Sequence, residues 1–204
     1  MKREGYTWLF FATVILVPFG IYGVVKWYEH RFTTLPVLYD GARIADFRMV
    51  NQDGDTITLE NWENRIVVAD FFFVNCPVVC PKMTRSLKRV QQSLGNDSSV
   101  QINSFSVDPF RDSVPKLRRY AEQMDIRRNW NLMTGDKREI YRLARNSFRV
   151  VATDGDGGPD DFIHSELLIL VDTQKRIRGY YNGTIPAEVD ELIRDIARLK
   201  KTTD

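Results

Sequence analysis

The chain has 204 residues and a formal net charge of +2, with 29 basic residues against 27 acidic ones, two cysteines and two histidines. The two signs of charge are interspersed, which excludes the concentrated basic footprint of a nucleic-acid-binding protein. Once an apolar N-terminal segment is set aside, about 170 residues remain, a length that suits one compact domain.

That segment runs uncharged from Gly5 to Val25. As a helix it would rise about 31 Å, close to the hydrocarbon thickness of a bilayer. Tyr6, Trp8, Tyr22, Trp27 and Tyr28 gather toward its ends like an aromatic belt, and Pro18 is a kink that membrane helices tolerate. It is long for the apolar part of a signal peptide, and no A-x-A-like cleavage site follows. The reading is an uncleaved transmembrane anchor over residues 6–27, with a short terminus at 1–5, a linker at 28–43 and a domain at 44–204. Lys2 and Arg3 before the span balance Lys26 and Arg31 after it, so charge alone does not orient it. His30 reads as a solvated residue beside the membrane.

Within the domain, residues 47–59 predict a hairpin around Asp53-Gly54. A buried strand over 66–73 follows, then a helix from Pro77 to Leu94 that stops before Gly95. A strand at 100–107 and helices at 114–124 and 137–146 come next, then strands at 147–152, 165–171 and 176–181 and an amphipathic helix over 187–200. This order predicts a thioredoxin-like α/β fold with a central mixed sheet flanked by helices. Open α/β sheets hold ligands beyond the carboxyl ends of their strands, and the end of strand 66–73 is where both cysteines lie.

They occur in Cys76-Pro77-Val78-Val79-Cys80-Pro81. Two neighbouring sulfurs can close a reversible disulfide or hold a soft ion such as copper or zinc. In a helix from Pro77 onward, i and i+4 share a face, so both sulfurs could turn to one ion. The first turn's free N–H groups and dipole should lower the Cys76 thiol pKa. A purely structural staple over so short a loop would gain little. His164, at the entry to an apolar strand and after the Gly-rich run 154–158, is on its own more simply a hydrogen-bonded structural residue than a ligand. Asp154 to Gly158 hints at a calcium loop, but Ser165 stands where the closing Glu is needed. Arg138, Arg142, Arg145 and Arg149 recur at helical spacing and read as a solvated face, with a docking patch for an acidic partner as the alternative.

Four segments stand out together: Phe73 to Pro81, with its C-P-x-x-C-P pattern; Ser106 to Asp112, of the form S-x-D-P-x-x-D; Trp130 to Gly135, of the form W-x-x-L-T-G with Met133 in place of Leu; and His164-Ser165. In combination they resemble the Sco (SenC) copper-binding proteins that assist assembly of cytochrome c oxidase. The resemblance spans about residues 42–200 and implies Cys76, Cys80 and His164 as copper ligands, for Cu(I) or Cu(II). It also implies the copper-bearing oxidase subunit as partner, with another copper chaperone or a thiol reductase beside it. The terminus would lie in the cytoplasm and the domain outside, facing the periplasm of a bacterial inner membrane. Ile163 stands where relatives commonly carry Asp before the histidine.

A second function remains open, a thiol-disulfide oxidoreductase in which Cys76 attacks and Cys80 resolves. Phe73 argues against a peroxiredoxin, whose T-x-x-C pattern needs Thr at that place.

Overall fold

In the computed structural model, residues 4–33, 35–95, 97–126, 129–150 and 165–203 are described. The chain divides into two units, Met1–Leu35 and Pro36–Asp204. In the first unit, helix α1 (Glu4–Thr33) carries Pro18 in its interior. Its side chains are described at Trp8 and over 11–26, and nearly all of these are exposed. That window is shorter than the roughly 18–20 residues a span requires. Among the described residues no helix is long and apolar enough to cross a membrane. A helix thus covers the expected anchor at 6–27, while its role as a membrane span is not shown.

The second unit is built on a sheet of seven strands among the described residues: β1 (Arg48–Asn51), β2 (Thr56–Thr58), β3 (Ile66–Phe72), β4 (Val100–Ser106), β5 (Trp130–Thr134), β6 (Leu167–Val171) and β7 (Ile177–Asn182). Their spatial order is β2-β1-β5-β4-β3-β6-β7. β3, β4 and β5 run parallel, and β1, β6 and β7 join antiparallel. β3 and β4 are buried at every position, as strands covered by helices on one face and further packing on the other must be. Among the described residues of this unit there are four α-helices: α2 (Val79–Leu94), α3 (Val114–Gln123), α4 (Lys137–Arg142) and α5 (Pro186–Thr203).

The predicted hairpin forms. Gly54 takes a φ of 92°, and the Asn51 carboxamide accepts from the N–H groups of Asp53 and Asp55 at 3.0 and 2.9 Å, closing the turn. On the sheet face away from α2, Phe71 stacks on Phe105 with centroids 5.2 Å apart, and Phe47, Trp62 and Phe148 surround them edge-on.

Three elements differ from the sequence reading. The strand expected at 147–152 does not begin there: Leu143–Ser147 forms a π-helical turn, the Phe148 N–H bonds back to Leu143 O and the Val150 N–H to Ala144 O. The alternation of Phe148 and Val150 reflects a ring driven into the aromatic cluster rather than a pleat; positions 151 and 152 lie outside the described residues. β5 replaces it as the missing strand and is buried throughout. Finally, α2 starts at Val79 rather than Pro77, because Cys76 is held in a turn by its own N–H bond to Phe73 O.

The π turn also breaks the arginine stripe. Arg142 donates to Asp46 O, Arg145 lies over the Tyr141 ring, and Arg149, at a φ of 51°, lies over Tyr39. Three of the four arginines thus serve contacts within the domain, which neither the solvated-face nor the docking-patch reading expects.

Candidate thiol and metal site

β3 ends at Phe72, and the chain turns through 73–78 into α2, so both cysteines stand at the carboxyl end of a central parallel strand. Both are free thiols; Cys76 is partly exposed, whereas Cys80, in the first turn of α2, is 5% exposed. The Cys80 N–H donates to Cys76 Sγ at 3.3 Å. The sulfur therefore takes a place that a capping oxygen would ordinarily fill.

This geometry splits the two thiols electrostatically. Burial works to raise the Cys76 pKa, but the Cys80 amide and thiol and the amides of Val78 and Val79 together bring it below its ordinary value. At Cys80 burial dominates and pushes the thiol up to about 12; a backbone hydrogen bond from Phe73 offsets only part of this, and the neighbouring Cys76 and Asp70 add to it.

Asp70 is the one ionisable residue within the apolar run of β3 and is 2% exposed. It accepts a hydrogen bond from Ser104 Oγ, and the Trp130 indole N–H donates to that same oxygen at 2.9 Å. Burial raises the Asp70 carboxyl to about 7, against a smaller lowering by Ser104. Its signal was present in the sequence, as a lone carboxylate inside a buried strand.

A second carboxylate fixes the cysteine loop from the side. Asp112, 1% exposed, accepts from the Val74 N–H at 3.0 Å, from Ser106 Oγ at 2.7 Å and from Lys116 Nζ at 2.9 Å. The loop after β3 is thus stitched to the loop after β4, which gives the Ser106–Asp112 motif a physical task. Thr84 and Tyr120 join α2 to α3 through hydroxyls 2.8 Å apart.

His164 lies outside the described residues, as does the Gly-rich run 154–158. The structure brings Cys76 and Cys80 together and describes β6 from Leu167, shortly after that histidine. Among the described residues no group of three or more His, Cys, Asp or Glu side chains could hold a metal ion. A pocket at the other end of α2, lined by Gln91, Gly95, Arg118 and Asn129, lies apart from the thiols.

A mixed sheet flanked by helices, with a pair of free thiols where a central strand meets its helix, defines a class of α/β protein whose chemistry is soft-metal binding or disulfide exchange. The SCO1/SenC family model matches residues 39–201, and the chain belongs to that family. It is 33% identical over 156 residues to the SCO1 protein homolog of Bacillus subtilis, covering 75% of this chain and 80% of that protein. The mitochondrial homologs of Danio rerio and Arabidopsis thaliana are longer, and the chain spans about half of each. Among solved structures it resembles BsSco, described as a member of the Sco family of cytochrome c oxidase assembly proteins with a disulfide switch. The identity is 30% and the TM-score 0.70, over 82% of this chain and 98% of that one. It also resembles ScoI of Bradyrhizobium japonicum with copper bound, at 25% identity and a TM-score of 0.63, over 78% and 99% of the two chains.

Proposed function

We propose that this protein is a membrane-anchored copper chaperone for the copper A centre of cytochrome c oxidase, binding its cargo through Cys76, Cys80 and His164 in a thioredoxin-like domain. The observation that carries the proposal is the free thiol pair at the β3–α2 junction, within a family whose member from Bradyrhizobium holds copper. The donor set fits the ion: two thiolates and one imidazole suit Cu(I), and Cu(II) with one further oxygen. Helix α1 would serve as the anchor, with residues 1–5 in the cytoplasm and the domain on the periplasmic face.

A second reading draws on the split between the thiols. A partly exposed thiol of lowered pKa beside a buried one of raised pKa is the arrangement of an attacking and a resolving cysteine, and BsSco is described as having a disulfide switch. The same pair would then reduce the oxidase cysteines before copper arrives.

Anaerobic Cu(I) titration of the reduced full chain in nanodiscs, against His164→Ala and Cys80→Ala, tests the first reading. One copper per chain, lost or weakened at least about a hundredfold in both variants, supports it. Binding indifferent to His164 beside rapid disulfide exchange makes the second reading primary.

A further inference from the structure

A run of cations follows the thiols in sequence, of which Lys88 and Arg89 are paired with Asp125 and Asp190. Residues 71–96 contain Lys82, Arg85, Lys88 and Arg89 and no Asp or Glu. Lys82 and Arg85 are exposed in the first two turns of α2. On the adjoining loop Arg111 has a side chain 73% exposed, while the acids of that loop face inward: Asp112 is buried in its three hydrogen bonds, and Asp108 pairs with Arg111 at 3.3 Å.

Two exposed apolar side chains lie on the loops that adjoin these cations in sequence. Val78, between the cysteines, is 58% exposed, and Phe110, at the tip of the loop after β4, is 82% exposed. Single exposed apolar residues are ordinary on a protein surface. These two, however, sit on loops held together by the Val74–Asp112 bond, beside the one partly exposed thiol.

We propose that Phe110, Val78 and the Lys82–Arg85–Arg111 rim form a docking face for an acidic, apolar-flanked protein segment that brings its own thiols to Cys76. The proposal rests on the reading of this site as one that hands copper or a disulfide to a partner. A protein occupant is favoured over lipid by continuity with the site, because a partner that exchanges a disulfide or a soft ion with Cys76 must bring thiol or imidazole donors to it, and lipid has none. Its sign follows from charge complementarity: an acidic segment would be steered to a face whose exposed charges on α2's first turns are all positive. Phe110 supplies the aromatic anchor at the centre of such contacts.

The test separates docking from copper chemistry. The probe is a short fluorescein-labelled peptide in which Glu and Leu flank a Ser-x-x-x-Ser core, so that it can dock but not take metal, alongside a version with every Glu replaced by Gln. Anisotropy is measured with the full chain in zwitterionic nanodiscs. The acidic peptide should bind roughly tenfold tighter than the neutral one at low salt, and Phe110→Ala should weaken it by about tenfold. Arg111→Glu should weaken it and flatten its salt dependence. Equal binding by parent and both variants, or no preference for the acidic peptide, overturns the proposal. So does quenching of Phe110→Trp by brominated lipid with no response to peptide, which would make the face a lipid contact. Copper titration of Phe110→Ala is run in parallel: unchanged copper binding with lost docking confirms the face as separate from the metal site. Docking by the parent chain beside a failure of that same parent chain to bind copper supports the face while refuting the chaperone reading.

Discussion

Asp70→Asn isolates one titrating group beneath the thiols. No described cation pairs with Asp70; Ser104 Oγ is its described hydrogen-bond donor. Its carboxyl moves from 3.8 to about 7 on folding because burial penalises the charged form. Below the unfolded value both states are protonated and folding is unaffected. As pH rises past about 4 the unfolded chain releases the proton while the folded one keeps it, so stability is lost through the window up to about 7 and stays low above it. With about 1.36 kcal/mol per pH unit, the cost is about 0.6 kcal/mol at pH 4 and about 4 kcal/mol at pH 8. Asn keeps the shape and an acceptor for Ser104 but has no proton to lose. The variant should therefore be more stable than the parent, by a margin that widens by about 3 kcal/mol between pH 4.5 and 8. The measurement is guanidinium unfolding of the reduced, copper-free full chain in detergent micelles. Fluorescence of the buried Trp62 and Trp130 reports on the domain. Taking the difference between variant and parent at each pH cancels the titrating groups that do not interact with Asp70, and Cys80 and Tyr120, raised by burial and in part by Asp70, titrate above this window. A margin that does not change with pH would show that Asp70 is ionised in the fold and that the reasoning is wrong.

Other outcomes follow from the same geometry. Iodoacetamide should modify Cys76 at least roughly tenfold faster than Cys80 at pH 7.5, with a pH midpoint below the ordinary thiol value, because only the thiolate reacts; mass spectrometry of Cys76→Ser and Cys80→Ser chains reads the two rates separately. Asp112→Ala should cost about 2–4 kcal/mol in chemical unfolding, because it removes three hydrogen bonds to a buried carboxylate. It should also weaken copper binding, since Val74 then loses the tie that sets the cysteine loop. Copper affinity should fall as pH falls, by between one and two decades per unit near neutrality, because Cys80 always and Cys76 in part must release a proton to bind. A flat profile would remove the thiols from the ligand set.

Where a residue's fate depended on near neighbours, the sequence was legible. The Asp53-Gly54 turn, the continuous run of β3 and the amphipathic α5 follow from local chemistry, and so does the lowered pKa of Cys76, whose partners are amides within four residues. What failed depended on partners far along the chain. Trp130–Thr134 is too short and too polar at Asn131 to announce itself, and it is a strand because β4 and β1 flank it. Phe148 and Val150 alternate like a strand, yet the cavity among Trp62, Phe71 and Phe105 draws the ring in and the backbone coils. The helix start is the local exception: it falls two residues later than expected because the Cys76 N–H turns back to Phe73 O and the Cys76 sulfur then takes the Cys80 N–H, bonds that no propensity for proline encodes. Of the site, the thiol pair was legible from its spacing; the roles of Asp70 and Asp112 appear only once β4 and its loop are in place.

The difference between the two cysteines connects these findings. Equivalent thiols would bind a soft ion as a symmetric pair and release it with no preferred order. Here the backbone makes them unequal: the amides that open α2 converge on Cys76, while β3 and Asp70 confine Cys80 in a medium that resists negative charge. An incoming thiolate therefore meets Cys76 first, at the partly exposed sulfur, and Cys80 regains its proton readily when its bond to metal or sulfur breaks. The order of events is the same whether copper or a disulfide is exchanged. A single placement of two residues at the end of β3 thus suits both chemistries, and on the proposed reading the choice between them would fall to His164 as a third donor and to the partner.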